Sequence, residues 1–212
     1  MGTPATVSLP SATSRRILAV GERLAQTRGF NGFSYADIAT TLRITKASLH
    51  YHFATKASLG RALIARYAER FGAALARIEA DPGADAKDRV SMYVELFESV
   101  LVRDRMCLCG MFAAEYATLP TGMRRELRRF FDANEAWLAR DLERGRTAGA
   151  LRFEGSPLEA ARTVTAGLEG AMLLARTHED PNRFAQIARR LLMGLGVSST
   201  GSRPRRGSSS ER

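Results

Sequence analysis

The stretch GFSYADIATTLRITKASLHYHFATKASL, residues 32–59, decides the fold. Ser34 stands three residues before Asp37, the spacing at which a cap hydroxyl and a carboxylate satisfy each other's backbone N–H groups, so a helix opens at Tyr35. It runs to Leu42, with Ile38 and Leu42 one turn apart on the inward face. After the tight turn Arg43-Ile44-Thr45, Thr45 caps a second short helix from Lys46 to His52, whose Leu49, with Phe53 just beyond its end, faces the same core. Thr55 then caps a long helix. Two helices of about eight residues joined by a tight turn make a helix-turn-helix, and a major groove about 12 Å wide admits the second of them.

The outward face of that second helix carries Thr45, Lys46, Ser48, His50 and Tyr51, all able to donate or accept hydrogen bonds, while Ala47 is small enough for close approach to a duplex. Lys46 has the reach for a phosphate or a guanine edge, Thr45 and Ser48 for a phosphate or base, and Tyr51 for a phosphate oxygen. Ser34, Tyr35 and His52 complete the candidate DNA contacts. Lys56 sets a cation beside the exposed N–H groups that open the next helix, a favourable place for a phosphate. The competing reading of these residues is the solvated face of a small bundle.

Charge favours the first reading. The chain of 212 residues carries a net charge of +10, unevenly spread. Residues 14–66 hold nine Lys/Arg against two Asp/Glu, residues 67–197 hold 19 of each sign, and residues 198–212 hold four against one. A basic segment on a neutral body suits a polyanion-binding module joined to a part with another task. A sequence-blind basic nucleic-acid-binding protein is the alternative, and it would spread its charge over the whole body. An RNA binder would need more exposed rings than this basic segment offers.

At 45% hydrophobic and 25% charged residues the composition is that of an ordinary globular chain. No stretch approaches the roughly 18 apolar residues of a membrane span. The first charge is Arg15, and small polar residues precede it where a secretory leader would need an apolar run. No membrane partner is expected, and a reducing cytoplasm is the expected location. Residues 1–13 and 198–212, rich in Ser, Thr, Pro and Gly, are expected to be a disordered arm and a disordered basic tail.

Between them the apolar spacing is helical throughout, so the fold class is all-α with about nine helices. Ile17, Val20 or Gly21, and Leu24 line the first helix, which Gly29 stops in a left-handed conformation. Ile64, Phe71, Leu75 and Ile78 line the fourth, ended by Asp81-Pro82-Gly83. Further helices are expected near 86–104, 108–118, 121–148, 157–178 and 181–195. The organisation is then a helix-turn-helix domain over 14–57 and a helical ligand-binding and dimerisation domain over 58–197. Leu158, Ala161, Thr165, Leu168, Met172 and Ala175 recur at helical spacing beside Gly167, Gly170 and Ala171. Phe184, Ile187, Leu191 and Leu195 repeat the pattern, so the last two helices can form a four-helix dimer contact. The alternative is burial of both inside one subunit.

A pocket is expected among residues 86–178, with Tyr93, Phe97, Met111, Phe112, Tyr116, Phe130, Phe131, Trp137 and Met172 as apolar surface and Glu115, Asn134 and Arg176 as polar groups that orient a ligand. Such a stripe is more often plain core. Cys107 joins the pocket list: a thiolate near a helix start with Arg103 and Arg105 close by would be reactive, whereas a buried cysteine only packs. No metal is expected, since Cys107 with Cys109, and His50 with His52, lie two apart and point about 200° apart on a helix. No cofactor is expected either. Nucleophile-elbow, zinc-protease and phosphate-loop motifs are absent, which argues against an enzyme.

The run Gly32-Phe33-Ser34-Tyr35-Ala36-Asp37-Ile38-Ala39, followed by Ile44 to Leu59, closely resembles the DNA-binding domain of TetR-type repressors over about 45 residues, with the G-F, A-x-I-A, L-x-x-H-F and x-x-K-x-x-L landmarks in register. Many members carry Tyr where this chain has His50, so its phosphate contact passes to Tyr51. Met106-Cys107-Leu108-Cys109-Gly110-Met111-Phe112-Ala113-Ala114-Glu115 resembles a segment of a subset of them. The resemblance implies a homodimer that binds a palindromic operator in double-stranded DNA and releases it when a small-molecule or electrophile inducer enters the C-terminal domain.

Overall fold

Side-chain caps set where the helices begin. In the computed structural model, which describes residues 11–197, Ser11 Oγ accepts from the Ser14 N–H at 3.1 Å and opens α1 (Ala12–Arg28). The expected arm is therefore helical from Ala12 onward, while residues 1–10 and the tail at 198–212 lie outside the described residues. Ser34 and Asp37 open α2 (Tyr35–Leu42), the Thr45 hydroxyl accepts from the Ser48 N–H at 3.1 Å to open α3 (Lys46–His52), and Thr55 and Ser58 box the start of α4 (Lys56–Glu79). Gly29 has the expected positive φ of 81°, but its ψ of 176° lies outside the left-handed helical region. Arg43 takes the left-handed position instead, at φ 55°, and closes α2 by hydrogen bonds back to its last turn.

The remaining helices are α5 (Ala86–Leu101), α6 (Leu108–Ala114), α7 (Thr121–Thr147), α8 (Pro157–Thr177) and α9 (Pro181–Gly194), with a 3-10 turn at Tyr116–Thr118. The described residues thus hold nine α-helices and no strand. Two ends fall short of expectation. α5 stops at Leu101 because the chain turns through Asp104 at φ 55°, and α6 gives way at Ala114 to the 3-10 turn.

Ile17, Leu24, Ile38, Leu49, Leu59 and Leu63 close the small core of α1–α3 against the start of α4. α4 crosses the expected boundary at residue 57 without a break and continues into the body, so one rigid helix belongs to both parts. The Glu22 carboxylate of α1, 5% exposed, accepts from Arg70 of α4 at 2.6 Å and lies 3.8 Å from Arg66. In the body, α7 packs against α4, α5 and α8, and α8 packs against α9. Phe71 meets Tyr93, Phe97 and Phe130 edge-on, and Tyr93 stacks on Trp137 at 5.8 Å. The fully buried Asp141 of α7 binds Arg89 of α5 at 2.7 Å and Arg144 at 3.2 Å, and Arg144 reaches Glu79 of α4 at 2.9 Å.

The stripe assigned to dimerisation is largely spent inside the subunit. Ala161, Thr165, Leu168, Met172, Ala175, Phe184 and Leu195 are buried, Ile187 and Leu191 pack partly buried against the core, and only Leu158 is substantially exposed. A Cβ on Gly167 would come within 2.8 Å of Leu191, so the small residues admit α9 of the same chain. The reason is that α8 is sandwiched between α7 and α9 and so has apolar residues on more than one face.

Candidate DNA interface and effector chamber

The reading face is exposed where α3 projects. Thr45, Lys46 and Ala47 are open to solvent, and Tyr51 is 86% exposed. The other candidate contacts are partly committed to holding this helix. Tyr35 is half-buried and its hydroxyl donates to the Phe53 carbonyl at 2.7 Å, pinning α2 to the end of α3. Its ring lies 4.8 Å from that of His50, whose Nδ1 is 3.1 Å from the Ala54 carbonyl. Ser48 is half-buried, and His52, also half-buried, meets Tyr51 edge-on at 5.1 Å. The Ser34 hydroxyl and N–H both donate to Asp37 at 2.7 Å, which holds that carboxyl below its usual range.

Lys56 does not project beside the N–H groups of α4. Its ammonium sits 4.7 Å from the centres of both the Phe30 and Phe33 rings, and burial lowers its pKa against the opposing pull of Glu115 and Asp37. The lysine is a cross-link of the small core as much as a candidate phosphate ligand.

Two residues assigned to the pocket are found at a junction between the reader and the body. Glu115, at the end of α6, accepts from the Phe30 N–H at 2.6 Å and from the Asn31 N–H at 3.2 Å, satisfying backbone groups just past the end of α1. Gly29 is required there, because a Cβ would lie 2.6 Å from the Glu115 carboxylate and its φ is positive. Arg176 of α8 donates to the Gln26 and Thr27 carbonyls. Sequence reasoning missed the partners. The side-chain amide of Gln26, 3% exposed, donates to the Met106 carbonyl at 3.0 Å while the Gln26 backbone carbonyl accepts from the Met106 N–H at 3.1 Å, and Asn31 donates to Thr118 at 2.8 Å. A glutamine among the apolar residues of α1 was the one available signal.

The rest of the pocket list divides. Tyr93, Phe97, Phe112 and Met172 are core, with Tyr93 Oη 3.2 Å from Thr165 Oγ1, and burial raises the Tyr93 pKa far above its usual value. Asn134 and Trp137 line a cavity of about 340 Å³ between α4 and α7, and neither amide atom of Asn134 nor the indole N–H has a partner. Phe131, partly buried, lines a second cavity of about 360 Å³ bounded by α6, α7 and α8. Met111 is partly buried against the core.

Cys107 and Cys109 are both free and buried, and burial pushes both thiols well up. This overturns the lowered pKa argued from Arg103 and Arg105. Desolvation outweighs any neighbouring cation, and Cys107 Sγ instead caps α6 by accepting from the Gly110 N–H at 3.4 Å. Glu169 of α8, which the sequence reading passed over, faces Cys107; burial raises its pKa to about 7 against the opposing pull of a hydrogen bond with the Cys107 thiol, and its Oε1 meets no nitrogen or oxygen donor. Among the described residues no group of three or more His, Cys, Asp or Glu is placed to hold a metal, and no helix is long and apolar enough to cross a membrane.

A helix-turn-helix with an exposed polar reading helix, bolted to an all-helical body, is the arrangement of a DNA-binding transcriptional regulator. The family model described as bacterial regulatory proteins, tetR family, matches residues 17–63, and that described as tetracyclin repressor-like, C-terminal domain, matches residues 86–191. The solved structure of a TetR-family regulator from Agrobacterium tumefaciens is 32% identical, covers 88% of this chain and 99% of its own, and superposes with a TM-score of 0.84. A second, from Legionella pneumophila, is 30% identical over 89% of this chain and all of its own, at 0.80. The HTH-type transcriptional repressor NemR of Escherichia coli is 28% identical over 167 residues, 77% of this chain and 84% of that protein. The chain belongs to the TetR family of transcriptional regulators, and it is not an enzyme.

Proposed function

We propose that this regulator acts as a cytoplasmic homodimeric repressor that binds a palindromic operator through α3 and lets go when a small molecule enters its body. The observation that carries the proposal is the junction. Hydrogen bonds into the Met106 carbonyl and the Glu115 carboxylate, which flank α6, and from Arg176 of α8 fasten the last turn of α1 and the residues after it to the body, so displacement of those helices by a ligand is transmitted to the reader. The likeness to NemR supports repression over activation.

An electrophile inducer would need the Cys107 thiolate, which burial disfavours, so the structure supports a reversible ligand over a covalent one. Cys107→Ser separates them: it leaves the response to a reversible ligand in place and abolishes the response to an electrophile.

For the dimer, the outer sides of α8 and α9 support pairing with a second copy. Leu173, Leu174 and Met193 are each about half exposed, and Gly170 and Gly194 have open space beside them. Leu174→Glu then yields a monomer by size measurement. Selection of random duplexes by the purified protein tests the whole proposal. An enriched inverted repeat with a dimer-sized particle upholds it, and salt-sensitive binding without an enriched sequence refutes it.

A further inference from the structure

The cavity among α6, α7 and α8 is lined by two acids and one cation, and the cation, Arg162, is paired with Glu135, which leaves Glu169 without one. Met106, Ala113, Phe131, Ala166 and Leu173 give it apolar walls. Glu169 lines it, with its carboxyl against the Cys107 thiol and its Oε1 buried without a nitrogen or oxygen donor. Around that carboxyl stand Tyr67 of α4, Tyr93 of α5, the thiols of Cys107 and Cys109, Glu135 of α7 and Arg162 of α8. All but Arg162 are neutral or acidic at neutral pH, and Arg162 is already paired with Glu135 at 3.2 Å. Gly110 is shaped to the acid, since a Cβ there would fall 2.2 Å from Glu169 Oε2.

A buried carboxylate with a bare oxygen is costly unless something pairs with it. We propose that this cavity takes a compact hydrophobic amine, whose ammonium donates to Glu169 and whose apolar body fills the space beside Phe131. The ring face of Phe131 offers the cation further attraction, and an amine that replaces the proton on Glu169 leaves the carboxyl ionised and satisfied. This assignment rests on the reading of the body as an effector domain and names the chemistry of the effector.

The test uses the full chain and three probes with one cage and different heads: 1-adamantanamine, 1-adamantanol and 1-adamantanecarboxylate, measured by calorimetry without DNA. The amine binds at least tenfold more tightly than the alcohol, and the carboxylate does not bind. Glu169→Gln, which keeps the shape of the side chain, removes the preference for the amine and leaves the alcohol unchanged. In the unmutated protein, affinity for the amine rises about tenfold from pH 6 to pH 8 as the carboxyl ionises through about 7, while affinity for the alcohol stays level. Equal binding of amine and alcohol, or a Glu169→Gln protein that keeps the preference, overturns the inference. Operator release is read separately by anisotropy. Amine binding that leaves the operator bound upholds the cavity chemistry and refutes its use as the effector site. Failure of the amine to bind overturns the cavity chemistry, whatever else releases the operator.

Discussion

The first three helices and the last five differ in where their polar groups go. In α1–α3 the helices are short or moderate, their starts are closed by Ser, Thr and Asp side chains, and Lys46 and Tyr51 of α3 face solvent, with Glu22 of α1 turned inward onto arginines of α4. In α5–α9 several polar groups are turned inward: Asp141 between two arginines, Asn134 without partners, Glu169 against a thiol, and Tyr93 on Thr165. The reading helix keeps donors free at Lys46 and Tyr51, whereas the body keeps a few unpartnered polar atoms under its apolar cover. Glu115 and Gln26 lie where the two regimes meet.

The sharpest way to break the contrast is in the body. Asp141→Ala leaves Arg89 half-buried with only the Ala84 carbonyl as partner and costs about 3 kcal/mol of unfolding free energy. Thermal unfolding then falls by about 10 °C.

Next is pH. The folded chain holds a proton on Glu169 up to about pH 7, against an ordinary value of 4.5, so its contribution is complete below 4.5 and is lost as pH rises towards 7. Denaturant titration of Glu169→Gln beside the unmutated protein will show the variant gaining about 3 kcal/mol in relative stability between pH 4.5 and pH 8. A difference that does not change with pH would dismiss the buried titration.

At the junction, Glu115→Ala removes charge-assisted hydrogen bonds worth about 1.5–3 kcal/mol. It loosens the reader from the body, so the ligand response measured on the operator collapses while ligand binding persists. The smallest effect falls on the reader. Lys46→Ala changes stability by less than about 0.5 kcal/mol, because the side chain is exposed. It weakens operator binding about tenfold and lowers the salt slope by about 1 if the lysine meets a phosphate. Unchanged affinity would remove α3 as the reading helix.

Much of the fold was legible because its signals are local. Ser34 with Asp37, Thr45 and Thr55 each act within three residues, and the structure opens α2, α3 and α4 at those points. The left-handed conformation of Arg43 was not legible, since a non-glycine residue gives no local sign that it will close a helix at positive φ. The exposed reading face was legible at Lys46 and Tyr51, whereas Tyr35 and Lys56 looked equally free and are engaged by Phe53 and by two rings. Glu169 resembled any surface acid on a helix and Glu115 a pocket group, whereas Arg176 both lines a cavity of about 730 Å³ and donates to the Gln26 and Thr27 carbonyls.

By itself the sequence determined the all-helical class, the reader with its basic surplus, and most helix boundaries, because caps and a 3.6-residue period are properties of neighbouring residues. Only the tertiary structure decided which face of α8 turns inward, that Cys107 is a buried cap with a protonated thiol, and that Glu169 is an unanswered acid. Those properties depend on helices far apart in the chain, whose approach sets burial, and burial sets the cost of charge.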